Sequence, residues 1–151
     1  MRKMVAKPES QVIDASNLIL GRMASIVAKK LLIGEKVTIV NAEQAVISGR
    51  KDFIVGSRKE FLSVGSHRKG PIHPKRPDTV VKRTIRGMLP WRQPKGKEAY
   101  GRLRVYTGFP EELRDVVLKS IPEANAGKLR TRSVTVGEVM KELDWKTGGN
   151  A

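Results

Sequence analysis

The chain of 151 residues contains no cysteine. That excludes a disulfide framework and any zinc site built on thiolates. Aromatic residues make up only 5% of the sequence, so the core has to be aliphatic. No apolar run comes near the ~18–20 residues that a membrane span requires. The amino-terminal stretch MRKMVAKPES is basic but has no apolar segment of the kind a secretory signal carries. Acidic residues are scarcest in the middle of the chain, where residues 58–104 include only Glu60, Asp78 and Glu98. General acid–base chemistry has little to draw on there.

What that segment has instead is positive charge. It holds fourteen Lys and Arg, a net +11 of the chain's +15. Residues 1–57 contribute +4, and residues 105–151 contain seven basic and seven acidic side chains. Solubility alone would be served by dispersed charge. A concentrated field of one sign carries a cost in self-repulsion that a polyanionic partner removes. The distribution points to nucleic-acid binding through the middle third. Binding to a membrane surface is the alternative, but these basic residues do not follow the spacing of an amphipathic helix.

Both ends read as an α/β unit. Residues 11–15 (QVIDA) form a predicted strand, and a helix follows over about 20–32 with Met23, Ile26, Val27 and Leu31 on one face. Gly34 is placed to end it, and residues 36–40 form a β-branched strand. A strand–helix–strand unit of this length favours a parallel pair with a right-handed crossover. Residues 45–47 suggest another short strand. A second helix is predicted over 51–62, using Ile54, Phe61, Phe53 and Leu62. The stretch 65–78, GSHRKGPIHPKRPD, is dense in Gly and Pro and reads as an exposed basic loop. Asp78 is a candidate cap for a helix running to Gly87, with Val81, Ile85 and Met88 as its apolar side. The run 88–91 interrupts it, a short helix follows near 97–100, and 103–106 is a strand. Residues 110–120 look helical, with Leu113, Val116 and Val117 inward. Thr135 and Glu138 have capping-box spacing before a last helix over 136–143.

Sites for small molecules are poorly supported. His67 and His73 lie six apart near Asp78, but the positive field and the lack of thiolates disfavour a dication. GSHRKG at 65–70 has the glycine spacing of a phosphate-binding loop, yet Pro71 stands where the lysine belongs. No nucleophile elbow or pair of carboxylates is present. Trp91 admits two roles: a stacking plane for a base, or an anchor of its loop on the core.

At RTIRGMLPW (83–91) followed by GKEAYGRLRVYTGFP (96–110), the sequence resembles the universal L-thirteen family of large-subunit ribosomal proteins. VIDASNLILGRMASIVAKKL (12–31), VTIVNAEQAVISG (37–49) and GPIHPKRPD (70–78) agree in order, so the resemblance covers about residues 10–143. RTIRGMLPW is closer to archaeal and eukaryotic members than to bacterial ones. The chain ends soon after Trp145 without the long eukaryotic extension, which favours an archaeal type; the tail KTGGNA resembles no family motif.

The length fits a single domain over 1–151, with the basic RNA-contacting segment at about 58–104, and the resemblance implies a three-layer α/β/α fold. Its small, mostly parallel four-stranded sheet would have the order 3-2-1-4, with a basic loop-rich insertion. It implies a structural, non-enzymatic constituent of the large subunit in the cytoplasm, with no cofactor and no small-molecule substrate. Partners would be large-subunit ribosomal RNA and neighbouring large-subunit proteins. The expected RNA contacts are His67, Arg68, Lys69, His73, Lys75 and Arg76 in the loop. Lys82, Arg83 and Arg86 follow, and then Trp91, Arg92, Lys95, Lys97 and Arg102. Arg22, Arg50 and Lys51 are weaker candidates.

Overall fold

The first strand–helix–strand unit forms where periodicity places it. The computed structural model describes residues 10–66 and 68–146. In it, β1 is Ser10–Asp14, α1 is Leu20–Ile33 and β2 is Lys36–Val40. Met23, Val27 and Leu31 of α1 are fully buried, while Arg22 and Lys29 on its outer side are exposed. Gly34, at φ 110°, turns the chain out of the helix and donates its N–H to the Leu31 carbonyl. The remaining elements are β3 (Val46–Ser48), α2 (Lys51–Ser63), α3 (Pro77–Gly87), α4 (Pro94–Gly101), β4 (Leu103–Val105), β5 (Leu118–Lys119), β6 (Ser133–Thr135) and α5 (Val136–Lys141).

The main sheet has the spatial order β4-β2-β1-β5, and every pairing in it is parallel. Numbered within the sheet alone, this is the expected 3-2-1-4. The steps from β1 to β2 and from β2 to β4 run in the same direction across the sheet. Right-handed connections therefore carry α1, α3 and α4 over one face. There α1 packs on α3 and α4, and α3 packs on β4. Ile13, Val37, Ile39 and Leu103 of the sheet join Val27, Ile85 and Ala99 of these helices in one aliphatic core. β3 and β6 pair antiparallel in a separate ribbon that brings α5 against the turn at Ala42–Gln44.

The return from β4 to β5 crosses the sheet the other way, so the same handedness places residues 106–117 over the opposite face. Val12 and Val40 are buried on that side. The helix predicted over 110–120 does not form. Glu111–Leu113 makes a single 3₁₀ turn, and the chain then straightens into β5. Val116 is exposed and Val117 is 81% exposed, not inward. The β-branched pair favours extension, and pairing with β1 rewards it, so tertiary pairing overrides a weak helical pattern.

Three smaller expectations also change. In α2 only Val55 is buried, with Ile54 and Leu62 packed against the core. Phe53 and Phe61 are 73% and 48% exposed, because they fall to the side of the face shared by Val55 and Leu62. In α3 the buried side is Pro77, Val80, Val81 and Ile85, whereas Met88 lies beyond the helix and is exposed. Asp78 is not the cap. Arg76 holds that position, Pro77 opens the helix, and Asp78 sits in the first turn, where its charge complements the helix dipole.

The capping box of α5 is present as predicted, although the helix stops at Lys141. Thr135 Oγ1 accepts from the Glu138 N–H at 3.2 Å, and Glu138 Oε2 accepts from the Thr135 N–H at 3.4 Å. Thr135→Ala is expected to cost about 1 kcal/mol of stability. Urea denaturation measures this, and an unchanged midpoint would show that the box contributes nothing.

Candidate nucleic-acid interface

The amphipathic pattern of α3 decides where its cations go. With Val80, Val81 and Ile85 inward, Lys82, Arg83 and Arg86 are left on the outer side. Lys82 and Arg86 are four apart and so share a stripe. Lys82 Nζ lies 5.0 Å from the centre of the Tyr100 ring, and the Arg86 guanidinium lies 5.2 Å from that of Trp91. The two rings meet edge to face at 5.0 Å and 79°. This cation–aromatic ladder ties α3 to α4. Trp91 thus has an anchoring contact, yet 39% of its surface remains exposed.

The turn that presents Trp91 is tightly built. Leu89 is buried, the Trp91 N–H donates to the Leu89 carbonyl at 2.7 Å, and Gln93 N–H donates to the Pro90 carbonyl at 2.9 Å. Gly96 lets α4 come this close, since a Cβ there would collide with the Pro90 carbonyl. Arg92, Lys95 and Lys97 are exposed around the first turn of α4, which contains no acid. Cations there oppose the helix dipole, an arrangement that a bound anion relieves.

In the loop, Arg68, Lys69, Lys75 and Arg76 are all exposed. Ser66 and Gly70 exchange two backbone hydrogen bonds of 3.0 Å and hold Arg68 and Lys69 on a closed turn. Gly65, at φ 111°, packs so closely on Pro71 that a side chain would clash with it. Arg76 Nε lies 3.3 Å from Asp78 Oδ1, an ion pair without hydrogen-bond geometry that offsets part of its charge. His73 is half-buried. Its ring lies 3.9 Å from Phe61, centre to centre, and its Nε2 has no hydrogen-bond partner among the described residues. His67 lies outside the described residues.

Arg102 is placed differently from the other expected contacts. Its Nη2 donates to the Leu31 carbonyl at 2.8 Å, satisfying the open end of α1. Arg22 and Arg50 are exposed. Lys51 pairs with Glu142 at 2.9 Å, a hydrogen bond that holds the lysine above and the carboxylate below their ordinary pKa values.

Two further residues lie beside this surface. Periodicity predicts Phe61 in the core, whereas the structure leaves it half exposed, and Arg58, first of the basic segment but not among the expected contacts, lines the same cavity as Phe61. The available signal was that Phe53 and Phe61 fall off the stripe of Val55 and Leu62.

In an open α/β sheet a small ligand binds beyond the carboxyl ends of the strands, where the strand order reverses. Here that place lies between β1 and β5, and the chain fills it with its own turns. Ile19 N–H donates to the Ala124 carbonyl at 2.7 Å and Ala126 N–H to the Asn17 carbonyl at 2.8 Å, with Ile121 and Ala124 buried. Asp14, at the end of β1, is committed internally. Burial opposes its charge, but hydrogen bonds from the Asn41 amide and from the N–H and hydroxyl of Ser16 outweigh that and lower its pKa.

Residues 9–112 match the family described as Ribosomal protein L13. The chain belongs to the ribosomal protein L13 family. Among its archaeal relatives, the large ribosomal subunit protein uL13 of Methanococcoides burtonii is 48% identical over 136 residues, covering 89% of this chain and 98% of that protein. The uL13 of Methanopyrus kandleri is 41% identical over 150 residues, covering 97% and 94%. That of Archaeoglobus fulgidus is 46% identical over 137 residues, covering 89% and 88%. The family match ends within the 3₁₀ turn at Glu111–Leu113 and takes in the loop, α3, α4 and β4.

Proposed function

We propose that this chain is a structural constituent of the large ribosomal subunit, binding large-subunit ribosomal RNA and supporting subunit assembly without catalysis. The observation that carries this is the grouping of exposed and half-exposed cations on three supports that follow one another along the chain of an L13 family member. These are the loop before α3, the outer side of α3 and the first turn of α4. The helices rest on the aliphatic core, so their cations are held in place before any partner arrives. Phosphates brought together by RNA folding neutralise them, and recognition runs through backbone shape and 2′-hydroxyls more than through base sequence. Neighbouring large-subunit proteins complete the surroundings, and the place of work is the ribosome in the cytoplasm. The filled crevice at the strand ends offers no support to an enzymatic reading.

The experiment is binding to large-subunit ribosomal RNA across a salt series, with co-sedimentation on large subunits at moderate salt. With about 6–10 phosphate contacts, affinity is expected to fall roughly 10³–10⁵-fold between about 50 and 200 mM monovalent salt. A flat salt dependence, or failure to co-sediment, overturns the proposal.

A further inference from the structure

A small cavity of about 180 Å³ lies between α2, the loop before α3, and α3 itself. Arg58 and Phe61, three apart on α2, reach it from one side. Val80, Arg83 and Thr84 reach it from α3, and His73 reaches it from the loop. Its chemistry is specific. One part is aromatic, where the Phe61 and His73 rings meet at a tilt of 42°. Two arginines, Arg58 and Arg83, line it, and among the described residues neither guanidinium has a carboxylate within 4.0 Å. The Arg58 guanidinium lies 6.0 Å from the centre of the Phe61 ring. The hydroxyl proton of Thr84 goes to the Val80 carbonyl at 2.9 Å, which leaves its oxygen able to accept.

A cavity of this size admits one planar ring and excludes a base pair. Two arginines without carboxylate partners in an aromatic-lined cavity match an anionic group attached to a flat heterocycle. In duplex RNA the bases are stacked inside the helix and cannot enter, whereas loops and bulges splay bases outward. We propose that this cavity takes up a single unstacked nucleotide of looped or single-stranded RNA. Its base lies against Phe61 and His73, and its phosphate lies between Arg58 and Arg83. The proposal rests on the RNA-binding function above and assigns Arg58 and Phe61 a part in it.

The test compares two probes, a single-stranded RNA octamer and an RNA duplex of the same length, on the full chain. Phe61 is half exposed, so Phe61→Ser is expected to melt close to the parent; if it does not fold, Phe61→Leu replaces it in the same comparison. The substitution is expected to lower affinity for the single strand roughly five- to a hundredfold and to leave duplex affinity within about twofold. The salt slope stays that of the parent, because no charge is lost. Phe61→Trp restores single-strand affinity. Arg58→Gln weakens single-strand binding and makes the slope shallower by about 0.7. Unchanged single-strand affinity in Phe61→Ser, or equal losses on both probes, overturns this inference while leaving RNA binding standing. A parent chain that binds neither probe nor ribosomal RNA removes the function proposed above, and this inference with it.

Discussion

Replacing Arg68, Lys69, Lys75 and Arg76 together by serine is expected to leave the fold intact and to cut RNA affinity by roughly 10²–10³ at about 0.1 M salt. The four side chains are exposed and stand between Gly and Pro positions, outside the aliphatic core. Exposed substitutions usually shift stability by no more than about 0.5 kcal/mol each. Loss of Arg76 frees Asp78, which still complements the first turn of α3, and removing like charges relieves repulsion. Each lost phosphate contact makes the salt slope shallower by about 0.7–0.9. Because Asp78 already draws on Arg76, the total change is expected to be about 2–3. The electrostatic contribution vanishes near 1 M salt, so that slope difference corresponds to about 2–3 decades at 0.1 M. Thermal melting and RNA titration measure both parts. An unfolded variant, or one with the parent's affinity and slope, refutes the separation of loop from body.

Val27→Asp is expected to do the reverse and unfold the protein. Val27 is fully buried on the face of α1 that packs against α3, α4 and β2. A carboxylate there has no partner among aliphatic neighbours and must either take up a proton or open the core. Leaving a buried charge unpaired costs about 3–5 kcal/mol, against a total stability of typically about 5–15 kcal/mol. RNA binding is lost as well, although no cation has changed, because α1 supports the two helices that present Lys82, Arg83, Arg86, Lys95 and Lys97. Circular dichroism against temperature reads the first effect and titration reads the second. A melt within a few degrees of the parent contradicts the placement of α1 at the centre of the core.

The two variants separate what local sequence specifies from what the fold assembles. Residues 10–40 are readable because each signal is short-range: a period near 3.6 in α1, a glycine able to take φ 110°, and a β-branched run after it. The capping box at Thr135 and Glu138 is likewise a four-residue statement. The concentration of charge over 58–104 needs no structure at all.

The 110–120 segment is different. Its helical spacing is real, but β1 offers an open edge, and whether that edge is filled depends on residues more than a hundred positions away. Sequence alone determined the basic segment, the parallel strand–helix–strand unit and the resemblance to one family, because composition, period and ordered motifs are written along the chain. Only the tertiary structure decided that Arg102 closes α1 at Leu31, that Trp91 rests on Tyr100, and that Phe61 leaves the core to meet His73. Each of these is a contact between segments that come together only when the helices and the loop are packed over the sheet, and no local period encodes it.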